Sequence, residues 1–174
     1  TAEIAAHAAP TPSGLAWRVS VATVETDGPF SAFEGCDRTS LLLVGPGIDI
    51  VSGGEAGPPD TLRLDRLYAS VDYPADRGAR GRLLAGPVQL FNLIADRALA
   101  ISHRLIEGRG PEQALPTATT TIVHVLRGDA RVAAGARNAL SAGDTMVSED
   151  PALAITLAPM TNDALILHAT LAPR

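Results

Sequence analysis

Lysine is absent from this chain, and all 14 basic residues are arginine. Against 19 acidic residues they leave a formal net charge of −5. A nucleic-acid-binding face needs clustered positive charge, and no segment supplies it, so no nucleic-acid partner is expected. The densest group, Arg77, Arg80 and Arg82, shares a glycine-containing stretch with Asp76 and reads as a solvated loop. Aromatic residues make up only 3% of the chain, so valine, leucine, isoleucine and alanine must build the core. The single cysteine, Cys36, excludes an intramolecular disulfide and favours a reducing compartment, so a cytoplasmic location is expected. It has no histidine near it in sequence and reads as an inert thiol. No apolar run approaches the roughly 20 residues a membrane helix needs, and no membrane partner is expected. Residues 1–14 lack the basic start and apolar centre of a signal peptide and are expected to form a flexible alanine/proline tail. A 3.6-residue apolar stripe is missing as well. With 16 glycines and 13 prolines scattered along the chain, long helices have little room.

Short β-type segments fill the space that helices leave. Residues 17–24 alternate, with Trp17, Val19 and Val21 on one face and Arg18, Ser20 and Ala22 on the other. Residues 27–38 read as a loop, turned by Gly28-Pro29 and closed by Asp37-Arg38, and Phe30 and Phe33 within it point to a loop folded back onto something apolar. Residues 41–44 and 48–51 are apolar runs about Gly45-Pro46-Gly47, which reads as a tight hairpin. Residues 52–60 read as a loop, Leu62, Leu64 and residues 67–71 as one or two short strands, Asp72-Tyr73-Pro74 as a turn, and 88–94 as a strand. Residues 99–106 alternate again, 107–116 form a polar loop, and 120–126 are β-branched, with Arg127-Gly128-Asp129 read as a hairpin turn. Further strands are expected over 130–134, 153–157 and 165–171, and within 140–147 a Gly143-Asp144 corner precedes another short strand. Many short strands with regular turn signals define an all-β sandwich or barrel. Each half reads as five or six strands, so a duplicated barrel fits the 174 residues.

Two turn-and-strand segments, Leu126 to Ala130 and Leu140 to Val147, resemble the second motif of cupin barrels, while the His-x-His first motif is absent. A resemblance covering most of the chain is stronger. Trp17-Arg18-Val19-Ser20, then Asp27-Gly28-Pro29-Phe30-Ser31, Phe33, Gly35 and Asp37-Arg38, are similar to the signature of the HutD/Ves family. Gly86-Pro87-Val88 with Phe91-Asn92-Leu93-Ile94 is similar to that family's Gly-Pro-Val and Phe-Asn-Leu-Met stretch, with Glu34 and Ile94 standing where the family usually has proline and methionine. The resemblance implies a cytoplasmic bacterial protein with a compact cupin-like double β-barrel, a bicupin. Residues 15–174 are then expected to be a single compact unit of two packed barrels. It also implies a regulatory role in histidine utilisation through a small metabolite such as urocanate or formylglutamate, with no reaction attached.

The matched blocks suggest one shared ligand pocket. An arginine fork matches a carboxylate in two hydrogen bonds, and Arg18 or Arg38 supplies it. Ser20 and Asn92 are candidates to orient the ligand, Asp37 closes the loop beside Arg38, and Phe91 is the candidate apolar wall. Each has a structural alternative: Asp37 and Arg38 as pins for the loop, Arg18 as an ion-pair partner, Asn92 satisfying backbone, and Phe91 in the core. His103, His124 and His168 fall on three expected strands, yet no two are spaced for one strand face, and neither metal nor cofactor is expected. A metal-free cupin isomerase or hydrolase using Asp37, and a structural or interaction module, are the alternatives to a non-catalytic binder. Exposed barrel edges often pair in homodimers, so self-association is expected.

Overall fold

A cross-strand ladder dictates most of the architecture. The computed structural model describes residues 1–53 and 59–174, and part of the expected loop over 52–60 lies outside the described residues. No helix among the described residues is long and apolar enough to cross a membrane. Strands carry the chain instead. In order they are β1 (Ala2–Ala8), β2 (Leu15–Val24), β3 (Gly28–Pro29), β4 (Cys36–Val44), β5 (Ile48–Ser52), β6 (Asp60–Leu64), β7 (Ser70–Pro74), β8 (Arg80–Leu83) and β9 (Val88–Asp96). There follow β10 (Leu99–Glu107), β11 (Gln113–Ala114), β12 (Thr120–Arg127), β13 (Asp129–Ala134), β14 (Ala136–Ser141), β15 (Thr145–Ser148), β16 (Ile155–Pro159) and β17 (Leu165–Pro173).

The chain divides into two units, Thr1–Arg97 and Ala98–Arg174. The N-terminal unit has a five-stranded sheet in the order β1-β2-β9-β4-β7 and a four-stranded sheet in the order β3-β8-β5-β6. Its core mixes the two: Leu42 and Leu90 from the first sheet meet Ile48, Ile50 and Leu64 from the second. In the C-terminal unit the orders are β10-β17-β12-β15 and β11-β16-β13-β14. Val123, Val125 and Ile166 there meet Ala130, Val132 and Leu157. Strand for strand, β10 to β17 repeat the path of β2 to β9, and β1 is the strand without a counterpart. Each unit is a sandwich of open antiparallel sheets whose edges do not close into a barrel.

Four local expectations are corrected. Residues 2–8 are not a loose tail: they pair with β2 from Ala2↔Val21 to Ala8↔Leu15. Small alanines carry little alternating signal, and the pairing comes from the backbone of β2. Cys36, Asp37 and Arg38 do not end a loop, because β4 begins at Cys36 and pairs through them with β9. Asp72-Tyr73-Pro74 is not a turn but the end of β7, paired with Asp37 to Thr39.

Finally, neither Gly45-Pro46-Gly47 nor Arg127-Gly128-Asp129 closes a hairpin. β4 and β5 lie in different sheets, as do β12 and β13, so both glycine turns are corners between sheets. The corners are tight. Gly45 has φ +106°, and a Cβ there would collide with the Pro87 carbonyl oxygen. Gly128 has φ +70°, and its Cβ would strike Thr161 Oγ1 and approach Ala164 Cα at 2.9 Å. Only glycine fits such a backbone so close to another strand.

Candidate functional site

Period-two alternation places the site. Arg18, Ser20 and Ala22 on β2, Leu90, Asn92 and Ile94 on β9, and Arg38, Ser40 and Leu42 on β4 alternate onto one sheet face. The register aligns them in rows: Arg18, Ile94, Arg38 and Tyr73 in one, Ser20, Asn92, Ser40 and Val71 in the next. Over this face lies a hollow of about 510 Å³, lined by Arg18, Ser20, Arg38, Leu90, Asn92 and Ile94 from the sheet and by residues 25–31 and Phe33 from the loop.

The loop is fastened by two of its backbone amides and one carboxylate. Phe30 N donates to Ala79 O at 2.8 Å, Phe33 N to Ala75 O at 3.0 Å, and Asp27 Oδ1 accepts from Leu83 N at 2.8 Å. Phe30 reaches its place over Gly81, where a Cβ would lie 2.9 Å from the ring. These bonds set the rings of Phe30 and Phe33 over Arg38, with its guanidinium carbon 5.7 and 5.5 Å from their centroids. Tyr73 adds a third ring at 5.7 Å. Three of the chain's six phenylalanine, tyrosine and tryptophan residues thus surround one cation. Phe33 also faces Arg18 at 5.8 Å.

Arg38 is only 6% exposed, and no carboxylate pairs with it among the described residues. Nη2 donates to Ser31 O at 2.8 Å and Nη1 to the Tyr73 hydroxyl at 3.4 Å, while the buried Nε has no partner. A buried cation without a counter-ion is costly, and ring faces and one carbonyl offset only part of that cost. The remaining polar groups form a buried chain. Ser40 donates to Asn92 Oδ1 at 2.8 Å, the Tyr73 hydroxyl lies 3.1 Å from Ser40 Oγ, and Asn92 Nδ2 donates to Leu90 O at 3.3 Å. Arg18 is held at one corner, its Nε donating to Glu3 on β1 at 2.8 Å. The sheet floor therefore presents two guanidinium groups and the Asn92 amide N–H, which suit an acceptor-only head group such as a carboxylate, while Glu25 and Asp27 line the loop side.

Four of the six residues expected from sequence, Arg18, Ser20, Arg38 and Asn92, come together around the hollow. The other two are corrected. Phe91 follows β9's alternation to the opposite face, between Val21 and Leu41, and is a core residue. Asp37 likewise turns away from Arg38's face and is bound by Arg97, whose Nε donates to it at 3.0 Å. The same guanidinium grips Asp76 at 2.7 Å through both terminal nitrogens and caps Cys36 O at 3.3 Å, and Asp76 in turn accepts from Gly35 N. Arg97 is thus a clasp for the end of the loop and holds the Asp76 carboxyl below its ordinary pKa. Burial raises the pKa of the Cys36 thiol beside it, which keeps it protonated and unreactive.

Sequence reasoning missed Ser40 and Tyr73. Ser40 had a signal, a polar residue two positions from Arg38 at the edge of an apolar run. Tyr73 had none, because its strand read as a turn. In the C-terminal unit His124 Nδ1 lies 2.7 Å from Thr145 Oγ1, and His168 Nδ1 accepts from Arg104 Nε at 3.3 Å. Burial lowers both imidazoles to a pKa of about 4. Among the described residues no three of the histidine, cysteine, aspartate and glutamate side chains gather as a metal site.

A nine-stranded and an eight-stranded sandwich, in which β2 to β9 and β10 to β17 follow matching paths and the first has a polar hollow against its larger sheet, define a cupin-like protein. A solved cupin 2 conserved barrel domain protein from Leptotrichia buccalis shares this fold, with a TM-score of 0.57 and 12% identity over 92% of this chain and 85% of that one. The chain belongs to the HutD family, whose model matches residues 1–166. It is similar to the structure of HutD from Pseudomonas fluorescens SBW25, with a TM-score of 0.75 and 25% identity over 99% of this chain and 87% of that one. An uncharacterized 21.2 kDa protein in the hutC 3′ region of Pseudomonas putida is 32% identical over 81 residues, 47% of this chain. The match spans 40% of that relative's length.

Proposed function

We propose that this chain is a non-catalytic, cytoplasmic binder of a small carboxylate that regulates histidine utilisation, with urocanate and formylglutamate as the ligands to try. Arg38 carries the reading: a buried guanidinium without an acid partner among the described residues, at a hollow whose sheet floor also presents Arg18 and the Asn92 amide, with Glu25 and Asp27 on its loop side. A ligand carboxylate supplies the missing counter-charge, taking Nε once the covering side chains shift. Arg18 offers a second guanidinium, Ser20 and Asn92 orient the head, and Leu90, Ile94 and Phe30 enclose an apolar body. The location of the P. putida relative beside hutC supports a role in this pathway, and the P. fluorescens HutD structure is described as a formate condition, formate being the smallest carboxylate. Asp37, the acid on which an isomerase or hydrolase reading rests, is engaged by Arg97 and does not line the hollow.

Titration calorimetry with urocanate and formylglutamate tests this reading. Wild type binds at least one of them, and Arg38→Met weakens that binding by about 100-fold, the scale expected for losing a charge-assisted pair at a desolvated site. Heat with neither ligand, or equal affinity in Arg38→Met, overturns it.

A further inference from the structure

Tyr73 does not line the hollow, yet its hydroxyl lies between two residues that bear on it, Arg38 at 3.4 Å and Ser40 at 3.1 Å. The direction of every hydrogen in this chain follows from one carbonyl. Leu90 O only accepts, so the Asn92 atom facing it at 3.3 Å is the amide nitrogen. The amide oxygen is thereby turned toward Ser40, which must donate to it at 2.8 Å. A serine hydroxyl has one hydrogen, and this bond uses it. The contact between Tyr73 and Ser40 is then made by Tyr73 donating. The phenol oxygen is left to accept from Arg38 Nη1, since a guanidinium only donates.

The chain runs from Arg38 through Tyr73, Ser40 and Asn92 to Leu90 O, every link donating the same way. Each bond polarises the next, so the guanidinium charge strengthens the whole series. Of the two Asn92 amide hydrogens one goes to Leu90 O, and the other remains for the hollow that Asn92 lines. Ser40 and Tyr73 do not line the hollow and Asn92 Oδ1 is engaged by Ser40, so what the series turns toward a ligand is the Asn92 N–H.

We propose that Tyr73 is the positioning residue of the carboxylate site: its hydroxyl ties Arg38 to Ser40 and thereby holds the Asn92 amide as a donor, which makes the site select carboxylates over their neutral amides. This inference rests on the carboxylate-binding reading above. At the corresponding place in the repeat, opposite Thr121 on β15, stands Ser148, whose short side chain cannot make this bridge.

Formate and formamide are the probes, titrated by two-dimensional ¹H–¹⁵N NMR that includes the side-chain amide and Arg Nε signals. Wild type binds formate, shifts the Asn92 amide pair, and prefers formate to formamide. Tyr73→Phe retains the backbone spectrum, loses about tenfold in formate affinity, and narrows the formate-to-formamide preference by a similar factor. Ser40→Ala breaks the same chain one link further on and produces the same loss, and the double variant loses no more than the larger single loss. A merely structural tyrosine would lower the melting temperature and leave the preference between the two probes unchanged. If wild type binds formate and Tyr73→Phe keeps both affinity and preference, this inference falls alone. The same holds for Ser40→Ala should Tyr73→Phe fail to fold. If wild type binds neither formate, urocanate nor formylglutamate, the carboxylate reading falls and takes this one with it.

Discussion

The central strand pair of the N-terminal unit, β4 with β9, meets across Ser40 and Asn92, and the corresponding pair of the C-terminal unit, β12 with β17, meets across Val123 and His168. Two positions beyond that row, both units carry an irregularity, at Leu42/Val44 and at Val125/Arg127, so the match is one of register as well as strand order. The fillings differ. Arg38 corresponds to Thr121, Ser20 to Arg104, Ile94 to Thr170 and Tyr73 to Ser148. One sandwich keeps a buried cation under aromatic rings and a hollow beside it. The other places Val123 in a packed apolar core. The same backbone path supports either, because alternation fixes which side chains face inward and leaves their chemistry open. Only the first unit has β1, which supplies Glu3 to Arg18.

The sheet corners are the sharpest way to break this comparison. Gly45→Ala should destabilise the protein by about 3 kcal/mol, since it adds a forbidden φ to a backbone collision. Gly128→Ala should cost about 2 kcal/mol, its φ being one that non-glycine residues sometimes adopt. Urea unfolding measures both. Equal tolerance of alanine at the two positions would show that the corners are not built alike.

Acid separates the units next. His124 and His168 lie in the C-terminal unit with pKa values of about 4, below the ordinary 6.5, because burial disfavours the charged ring. Below pH 6.5 the unfolded chain takes up protons that the folded chain refuses, so stability falls as pH drops from about 6.5 to about 4. The loss should be on the order of 2 kcal/mol for each histidine. Asp49, lowered by its bonds to Arg63, and Asp76, lowered by Arg97, act in the other unit, and their contribution disappears only as pH falls below the ordinary carboxylate value. Unfolding followed from pH 7 to pH 3 should therefore weaken the C-terminal unit first. His168→Gln should flatten the upper part of the curve. A profile level down to pH 4 would contradict it.

The smallest effect concerns β1. Glu3→Gln removes an exposed ion pair with Arg18 and should change stability by about 0.5 kcal/mol, measured by thermal melting. A loss several times larger would mean that β1 anchors the unit in a way its exposed alanines do not suggest.

Legibility followed the same division. Strands such as β2, β9 and β12 announce themselves by alternation or β-branched runs, and Arg18, Ser20 and Asn92 could be read as pocket residues because they fall in step on such strands. Phe91 was misassigned by one residue's alternation, the smallest error that moves a side chain to the opposite face. Asp37 was misassigned because its neighbour in sequence, Arg38, is not its partner in space, while Arg97, sixty residues on, is.

By itself the chain determined that it would be helix-poor, that its strands would be short and where most of them run, because local alternation and turn chemistry act over a few residues. Tertiary structure alone decided which sheet each strand joins, since a glycine corner and a glycine hairpin look alike until a distant strand provides hydrogen bonds. It also decided that Tyr73 and Ser40 belong to the site with Arg38 and that residues 2–8 form a strand. The physical reason is common to these: each depends on a backbone or side-chain partner far along the chain, and no local pattern records such a partner.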